Sequence, residues 1–257
     1  MTELEVLEQA ARAAGAAVRA ATPTEGVVTK EGRANYVTAA DLASEKAIMD
    51  AIRAAFPDDA ILSEETTSDL VDPLVVARLW VIDPIDGTSN FRFGRNYSVI
   101  SIGFVERGVI RAAAVYDPFH DELFMAEQGR GATVNGKPLH VGDQSQLADA
   151  SVATDNSYDP EQTKRNLELL ASLTPTPWVI IKGSAVLSMC DVAAGRIDLY
   201  FHTVLKPWDN AAAFLIAQEA GAKVVGLNGK PVTFMSPKVV MGNKQLVDQF
   251  LAATKPR

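Results

Sequence analysis

The sequence predicts an α+β protein, and three observations carry that expectation. Two amphipathic helical patterns fall within residues 2–56, short β segments joined by turn residues follow one another from Ser98 to Val141, and strand alternates with helix beyond Asp143. The 257 residues, 47% of them hydrophobic, suffice for a sizeable core. We expect an N-terminal lobe (1–142) and a C-terminal α/β lobe (143–257), packed as one compact unit.

Residues 2–20 read as a helix because Leu4, Leu7, Ala11, Ala14 and Val18 recur near helical spacing, with Thr2 and Glu5 as a capping box. Pro23 to Asn35 is a polar loop or hairpin carrying Lys30 and Glu31, of the kind that covers sites. A second helix opens after Thr38, with Asp41 near its start and Ile48, Ile52, Ala55 and Phe56 inward, and Pro57 ends it. Asp41 reads as a helix-start residue paired with an N-cap Thr38. Ala60–Leu62 is a short strand that stops at Ser63-Glu64-Glu65.

The next segment, Leu79 to Phe91, says most about chemistry. Leu79-Trp80-Val81-Ile82 is a buried strand by composition, and it ends at Asp83-Pro84. Proline blocks the ladder and turns the chain, so Asp86 returns toward Asp83, and Gly87 permits positive φ. Thr88 and Ser89 can then open a short helix whose free N–H groups suit an anion. Carboxylates for a divalent cation beside N–H groups for a phosphate describe metal-assisted phosphoryl chemistry. Asp-x-x-Asp-Gly-Thr alone also fits a polar turn in which the acids only cap backbone.

Beyond it, 99–105, 109–116 and 122–126, with a hairpin at Asn135-Gly136, form an antiparallel meander. His120 and His140 fall in its turns, without metal-site spacing. In the second half we expect strands at 150–154, 178–182 and 197–201. Helices are expected from Pro160 to Leu173, from Gly183-Ser184-Ala185 through Ala193, from Asn210 to Ala220 with Asp209 as an N-cap, and from about Lys244. The Gly183-Ser184-Ala185 start is a further candidate for anion or hydroxyl contact.

Composition narrows the partners. A net charge of −8 without a basic cluster argues against nucleic acid, and one cysteine, Cys190, excludes an internal disulfide and fits a reducing cytoplasm. No stretch reads as a signal peptide or membrane span.

Trp80 to Phe91 resembles the motif of the inositol monophosphatase family, W-[VI]-[IV]-D-P-[IL]-D-G-T-x-N-F, at every position. Val37-Thr38-Ala39-Ala40-Asp41, Ser63-Glu64-Glu65, and Trp208-Asp209 with Glu219-Ala220-Gly221 match other pieces of that family in the same order. The rival motif of haloacid-dehalogenase phosphatases, Asp-x-Asp-Gly-Thr with a nucleophilic first Asp, is one residue shorter. The resemblance implies a layered αβαβα sandwich of the inositol monophosphatase and fructose-1,6-bisphosphatase type. It also implies a magnesium-dependent, lithium-sensitive phosphomonoesterase, usually a homodimer.

Carried over position by position, the resemblance gives a first Mg²⁺ to Glu64, Asp83 and the carbonyl of Ile85, a second to Asp83, Asp86 and Asp209, and a weaker third near Glu64. It makes Thr88 and Asp41 a pair that orients the attacking water, and Glu65 a support for Glu64. The N–H groups of Gly87 and Thr88 become a phosphate cradle, and Lys30 a loop cation that screens the site. Gly183, Ser184, Ala185, Asp209 and the position of His202 would meet the alcohol. Family members that favour inositol carry glutamate where this chain has His202, and Arg92 and Arg95 also differ from common patterns. The leading expectation is hydrolysis of inositol-1-phosphate or a related cyclitol or sugar phosphate. Histidinol phosphate, fructose-1,6-bisphosphate and adenosine 3′,5′-bisphosphate stand behind it, and a regulatory binding protein that keeps the fold is the alternative of another class.

Overall fold

Thr2 caps helix α1 (Glu3–Ala20): Glu5 N–H donates to its hydroxyl, and its own N–H donates to the Glu5 carboxylate at 2.8 Å. The computed structural model describes residues 1–30, 34–66, 72–173 and 178–254. Strands β1 (Val28–Thr29) and β2 (Tyr36–Val37) form a small antiparallel hairpin, with Lys30 at its described end and Glu31 outside the described residues. Helix α2 (Ala39–Ala55) follows, capped by Thr38, and turns Ile48 and Ile52 fully inward.

A seven-stranded sheet comes next, built from β3 (Ala60–Ser63), β4 (Leu79–Asp86), β5 (Val99–Glu106), β6 (Val109–Asp117), β7 (Glu122–Glu127), β8 (Ala132–Val134) and β9 (Lys137–Pro138), in that spatial order. Only β3 and β4 run parallel; the rest is the predicted meander, and Asn135 and Gly136, at φ 48° and 75°, close the β8–β9 hairpin. One expectation fails here. Pro84 does not end the strand: β4 pairs with β5 at Asp83 and again at Asp86, and the register shifts between them. Three residues of β4 span what two of β5 span, a bulge, and a bulge is where a sheet tolerates proline. Both aspartates therefore stay on one strand, re-aimed by the bulge. The short helix α3 (Thr88–Arg92) follows directly.

A second sheet of five strands has the order β11 (Trp178–Ile180), β10 (Ser151–Ala153), β12 (Leu199–His202), β14 (Val239–Gly242), β13 (Lys223–Val225). Its helices are α4 (Pro160–Ser172), α5 (Ala185–Ala193), α6 (Pro207–Glu219) and α7 (Lys244–Ala253). Helix α6 starts at Pro207 instead of Asn210, because proline needs no N–H at a helix's first position. Asp209 is consequently the third helical residue and not the cap.

The alternation of buried side chains stacks these parts in five layers. Trp80, Ile82, Ile102 and Ala114 pack against α1 and α2, whereas Val115 and Phe124, on the opposite face of the same sheet, pack with α5 and α6 residues such as Met189 and Phe214. In β12 the same period of two sends Tyr200 toward α5 and α6, and Leu199 and Phe201 toward α4 and α7 residues such as Leu170 and Phe250. The layers touch closely: a Cβ on Gly103 of β5 would stand 2.8 Å from the Ala211 Cβ of α6. The result is the αβαβα order implied by the family resemblance.

Candidate active site

Parallel pairing sets Ser63, the last residue of β3, opposite Ile82 of β4, and Glu64 N–H donates to the Ile82 carbonyl at 3.2 Å. Glu64, just past the end of β3, thus lies beside Asp83, which is still within β4. Asp86 emerges past the bulge, and Asp209 arrives from the first turn of α6. One carboxylate oxygen of each of Asp83, Asp86 and Asp209 lies within 4.8 Å of the others. They border a cavity of about 510 Å³, also lined by Lys30, Glu64, Arg95, Asp155 and Lys206.

Each of the three aspartates is held through one oxygen. Asp83 Oδ1 accepts from Ile85 N–H at 3.1 Å, Asp209 Oδ2 from Lys206 N–H at 2.7 Å, and Asp86 Oδ2 from Val186 N–H at 2.9 Å and from the Ser184 hydroxyl. No donor among the described residues bonds the other oxygen of any of them. Burial, then the negative charge of neighbours including Glu64, pushes Asp83 well above the usual carboxylate range, Asp86 to about 7, and Asp209 well up. Converging, oriented oxygens with unmet charge fit a hard divalent cation, so the cluster can hold a metal. Glu64 stands outside the group of three; its Oε1 accepts from Lys30 Nζ at 3.1 Å, and the same ammonium bonds Glu65 at 2.5 Å. Burial raises Glu65 to about 7 against the lowering pull of Lys30.

Asp41 occupies the third position of α2, where its Oδ2 accepts from Thr38 N–H at 2.7 Å and from the Thr38 hydroxyl at 2.6 Å. Its Oδ1 faces the Thr88 hydroxyl at 2.9 Å, and the Ile85 carbonyl lies 2.9 Å from the same hydroxyl. Cap and site partner are one residue. Gly87, at φ 87°, precedes α3, and a Cβ there would meet the Tyr97 carbonyl at 2.7 Å, so only glycine fits. The first N–H groups of any helix lack intrahelical partners, which leaves Thr88 N–H at an open helix start. Asn90 ties this start to the segment before α5, with Nδ2 2.9 Å from the Tyr97 and Lys182 carbonyls and 3.1 Å from that of Gly183.

Of the residues expected to meet an alcohol, Gly183, Ala185, His202 and Asp209 line the cavity, while polar groups of Gly183, Ser184 and His202 are engaged within the protein. Ser184 caps α5 and gives its hydroxyl to Asp86, and Gly183 N–H donates to Asp155 at 2.6 Å, so neither polar group faces substrate; Ala185 lines the cavity. His202 is 3% exposed. Its Nδ1 accepts from Val204 N–H at 3.1 Å, which makes it the Nε2–H tautomer, and Nε2 donates to the Asp155 carbonyl at 3.2 Å. With both nitrogens used by backbone, it offers a ligand neither a donor nor a cation. Arg92 lies 3.9 Å over the Tyr36 ring, while Arg95 reaches the cavity rim. His120 lies in a turn, as expected, and His140 in the loop after β9.

Burial depresses the His202 imidazole to about 4 from 6.5. A depressed imidazole contributes stability in full above pH 6.5, and that contribution is lost as pH falls toward 4, by about 3 kcal/mol. Urea unfolding at pH 7 and pH 4 should show wild type losing about that much more than His202→Gln. An equal loss in both proteins would mean that His202 accepts a proton in place.

Asp155 falls between the strand expected at 150–154 and the helix expected from Pro160, where the sequence marks only a connection. It lies just past the end of β10, 5% exposed, and accepts from Lys182 N–H, Gly183 N–H and the Ser188 hydroxyl. A carboxylate just past a strand's end is the same signal that Glu64 gives.

Comparison with known proteins agrees with this geometry. The model of the inositol monophosphatase family matches residues 2–256. An inositol-1-monophosphatase of Synechocystis sp. is 34% identical over 261 residues, covering 98% of this chain and 90% of that protein. A fructose-1,6-bisphosphatase/inositol-1-monophosphatase of Thermotoga maritima is 34% identical over 225 residues, covering 88% and 84%. The solved inositol monophosphatase of Anabaena (Nostoc) sp. superposes with a TM-score of 0.86 at 35% identity, covering 97% of this chain and 94% of that one.

Proposed function

The chain belongs to the inositol monophosphatase family and is a phosphomonoesterase, and from that premise we propose that it hydrolyses a small cyclitol or sugar phosphate with Mg²⁺. The observation that carries this reading is the convergence of Asp83, Asp86 and Asp209, each fixed through one oxygen and, among the described residues, given no donor at the other. Those residues, with Glu64 and the Ile85 carbonyl, would hold the metal, which when bound supplies positive charge to acidify water and to neutralise the leaving alkoxide. The chain's own groups do the rest. Asp41 draws the Thr88 proton, so a lone pair of that hydroxyl accepts from the attacking water. Gly87 and Thr88 N–H groups receive the phosphate oxygens without added charge. Glu65 and Lys30 hold Glu64 in place.

Inositol-1-phosphate is the first substrate to try. Fructose-1,6-bisphosphate is the second, because the Thermotoga relative is named for both activities and because Arg95 and Lys206 offer cations on the cavity wall for a second phosphate. We place the enzyme in the cytoplasm as a homodimer that binds no nucleic acid, with two lobes, 1–142 and 143–257, forming one unit. The single cysteine supports the cytoplasm and the net charge of −8 the exclusion of nucleic acid, and no described helix is long and apolar enough to cross a membrane. Edge strand β11 supports the dimer, since it exposes Trp178 and Val179, with Ile181 just beyond, and an uncovered apolar edge favours a second chain.

Phosphate release from both substrates, histidinol phosphate and adenosine 3′,5′-bisphosphate tests this directly. Turnover should require Mg²⁺ and vanish in EDTA. A phosphorylated Asp83 trapped by mass spectrometry would replace the water mechanism with a covalent one.

A further inference from the structure

Of the three converging aspartates, Asp86 alone takes its donors from a distant segment: the Ser184 hydroxyl and Val186 N–H, both in the opening of α5, whereas Asp83 and Asp209 accept from Ile85 and Lys206, close by in the chain. The orientation of Asp86 is therefore only as good as the placement of that helix start. Asp155 brackets the start. Its Oδ1 accepts from Gly183 N–H at 2.6 Å and Lys182 N–H at 3.1 Å, just before Ser184, and its Oδ2 from the Ser188 hydroxyl at 3.2 Å, one turn after it. The Ser184 carbonyl also lies 2.8 Å from the Ser188 hydroxyl, so its one proton is shared between these two acceptors.

Asp155 is itself anchored from two other elements. Its carbonyl accepts from Asn166 Nδ2 of α4 at 3.0 Å and from His202 of β12 at 3.2 Å. Asn166, 1% exposed, is fixed in its turn by Thr203, whose N–H and hydroxyl donate to its Oδ1 at 3.0 and 2.6 Å. Although Asp155 borders the cavity, both its carboxylate oxygens already accept bonds from the segment around the α5 start. Nor does it cap α5, a role that Ser184 fills.

We propose that Asp155 is a positioning residue that sets the aim of Asp86, and hence metal affinity, through Gly183, Ser184 and Ser188. The proposal rests on the metal-dependent reading above. It explains what the buried, neutral His202 is for: holding the Asp155 backbone rather than touching substrate. It also separates geometry from charge. If Asp155 acted by attracting the cation with its own charge, an amide would be harmful and a longer acid harmless. Positioning reverses that order. The amide of Asp155→Asn keeps an oxygen for the two N–H groups and can donate to Ser188, whereas Asp155→Glu keeps the charge and displaces the turn by a methylene.

The test is Mn²⁺ binding to the purified full chain, read by calorimetry and by electron paramagnetic resonance without substrate, with melting temperature in EDTA as the check on folding. Asp155→Glu should bind Mn²⁺ about 10- to 100-fold more weakly, the range for groups that orient metal ligands, and Asp155→Asn within about tenfold of wild type. In a Ser184→Ala background the Asp155→Glu loss should shrink, because both changes act on one contact. Additive losses, a greater than tenfold loss in Asp155→Asn, or wild-type affinity in a folded Asp155→Glu would each overturn the proposal. Wild type and Asp86→Asn are run alongside: no Mn²⁺ binding by wild type would overturn the metal reading itself, whereas binding lost in Asp86→Asn and kept in Asp155→Glu would overturn the positioning role alone.

Discussion

Asp83→Asn should abolish Mg²⁺-dependent turnover by about a thousandfold or more and yet make the metal-free protein more stable at pH 8. The loss of rate follows because charge stabilisation by a bound metal is worth several kcal/mol, and each ~1.4 kcal/mol is tenfold. The gain in stability follows from burial. Asp83 is 1% exposed, and its carboxyl is pushed well up by desolvation first and by Glu64, Asp86 and Asp209 next. An acid whose folded pKa is raised contributes stability at low pH, and that contribution is lost as pH rises above the unfolded value. For Asp86 the window lies between 3.8 and about 7. Wild type in EDTA should therefore melt at a lower temperature at pH 8 than at pH 5, and Asp83→Asn should reduce the difference, since an amide cannot ionise and can still accept from Ile85 N–H. Saturating Mg²⁺ should reverse the order at pH 8, by about 2.7 kcal/mol at a hundred times its Kd. Calorimetric melting with and without Mg²⁺ decides the matter. If Asp83→Asn melted below wild type in EDTA at pH 8, mutual repulsion would not be what the metal relieves.

How far the sequence reached depended on how local each cause is. The meander from β5 to β9 was readable because each strand pairs with its successor through a short turn. The order β11-β10-β12-β14-β13 was not, since it is set by crossovers and layer packing. Asp41 shows the same limit at one residue. Its cap to Thr38, three positions away, is visible in the sequence, whereas its contact with Thr88, 47 positions away, exists only once α2 packs beside β4. Ser184 was singled out for the right region and the wrong partner, because Asp86 lies 98 positions off and reaches it only across the two sheets. His202 stood at an informative position, but its burial and its two backbone bonds depend on where β12 meets the loop after β10. The bulge at Pro84 is a matter of degree: the proline did disrupt the ladder, and the sheet absorbed the disruption instead of ending.

Asp41→Asn should lower kcat by about 10²- to 10⁴-fold, the usual worth of positioned proton transfer, with little change in melting temperature. The Thr88 hydroxyl stands 2.9 Å from both Asp41 Oδ1 and the Ile85 carbonyl, and it has one proton to give. While the carboxylate takes that proton, a lone pair of Thr88 remains to accept from water. In the amide, the one remaining oxygen takes the place of Oδ2 opposite Thr38 N–H, because the alternative sets two donors against each other, and the amide nitrogen then points at Thr88. The hydroxyl must then donate to Ile85 and turn one of its two lone pairs to the amide, which re-aims it away from the orientation that receives the water. Thr88→Val should lose activity to a similar degree, and Thr88→Ser should keep most of it. The contrast between rate and stability separates the two roles of Asp41. A residue that only caps α2 would cost about 1 kcal/mol of stability on substitution and leave kcat alone, and the amide would serve that purpose almost as well as the acid. Measured kcat at saturating Mg²⁺, beside unfolding of the same samples, distinguishes them: an Asp41→Asn enzyme that turns over like wild type would return Asp41 to its cap and leave the orientation of the water to the metal ligands.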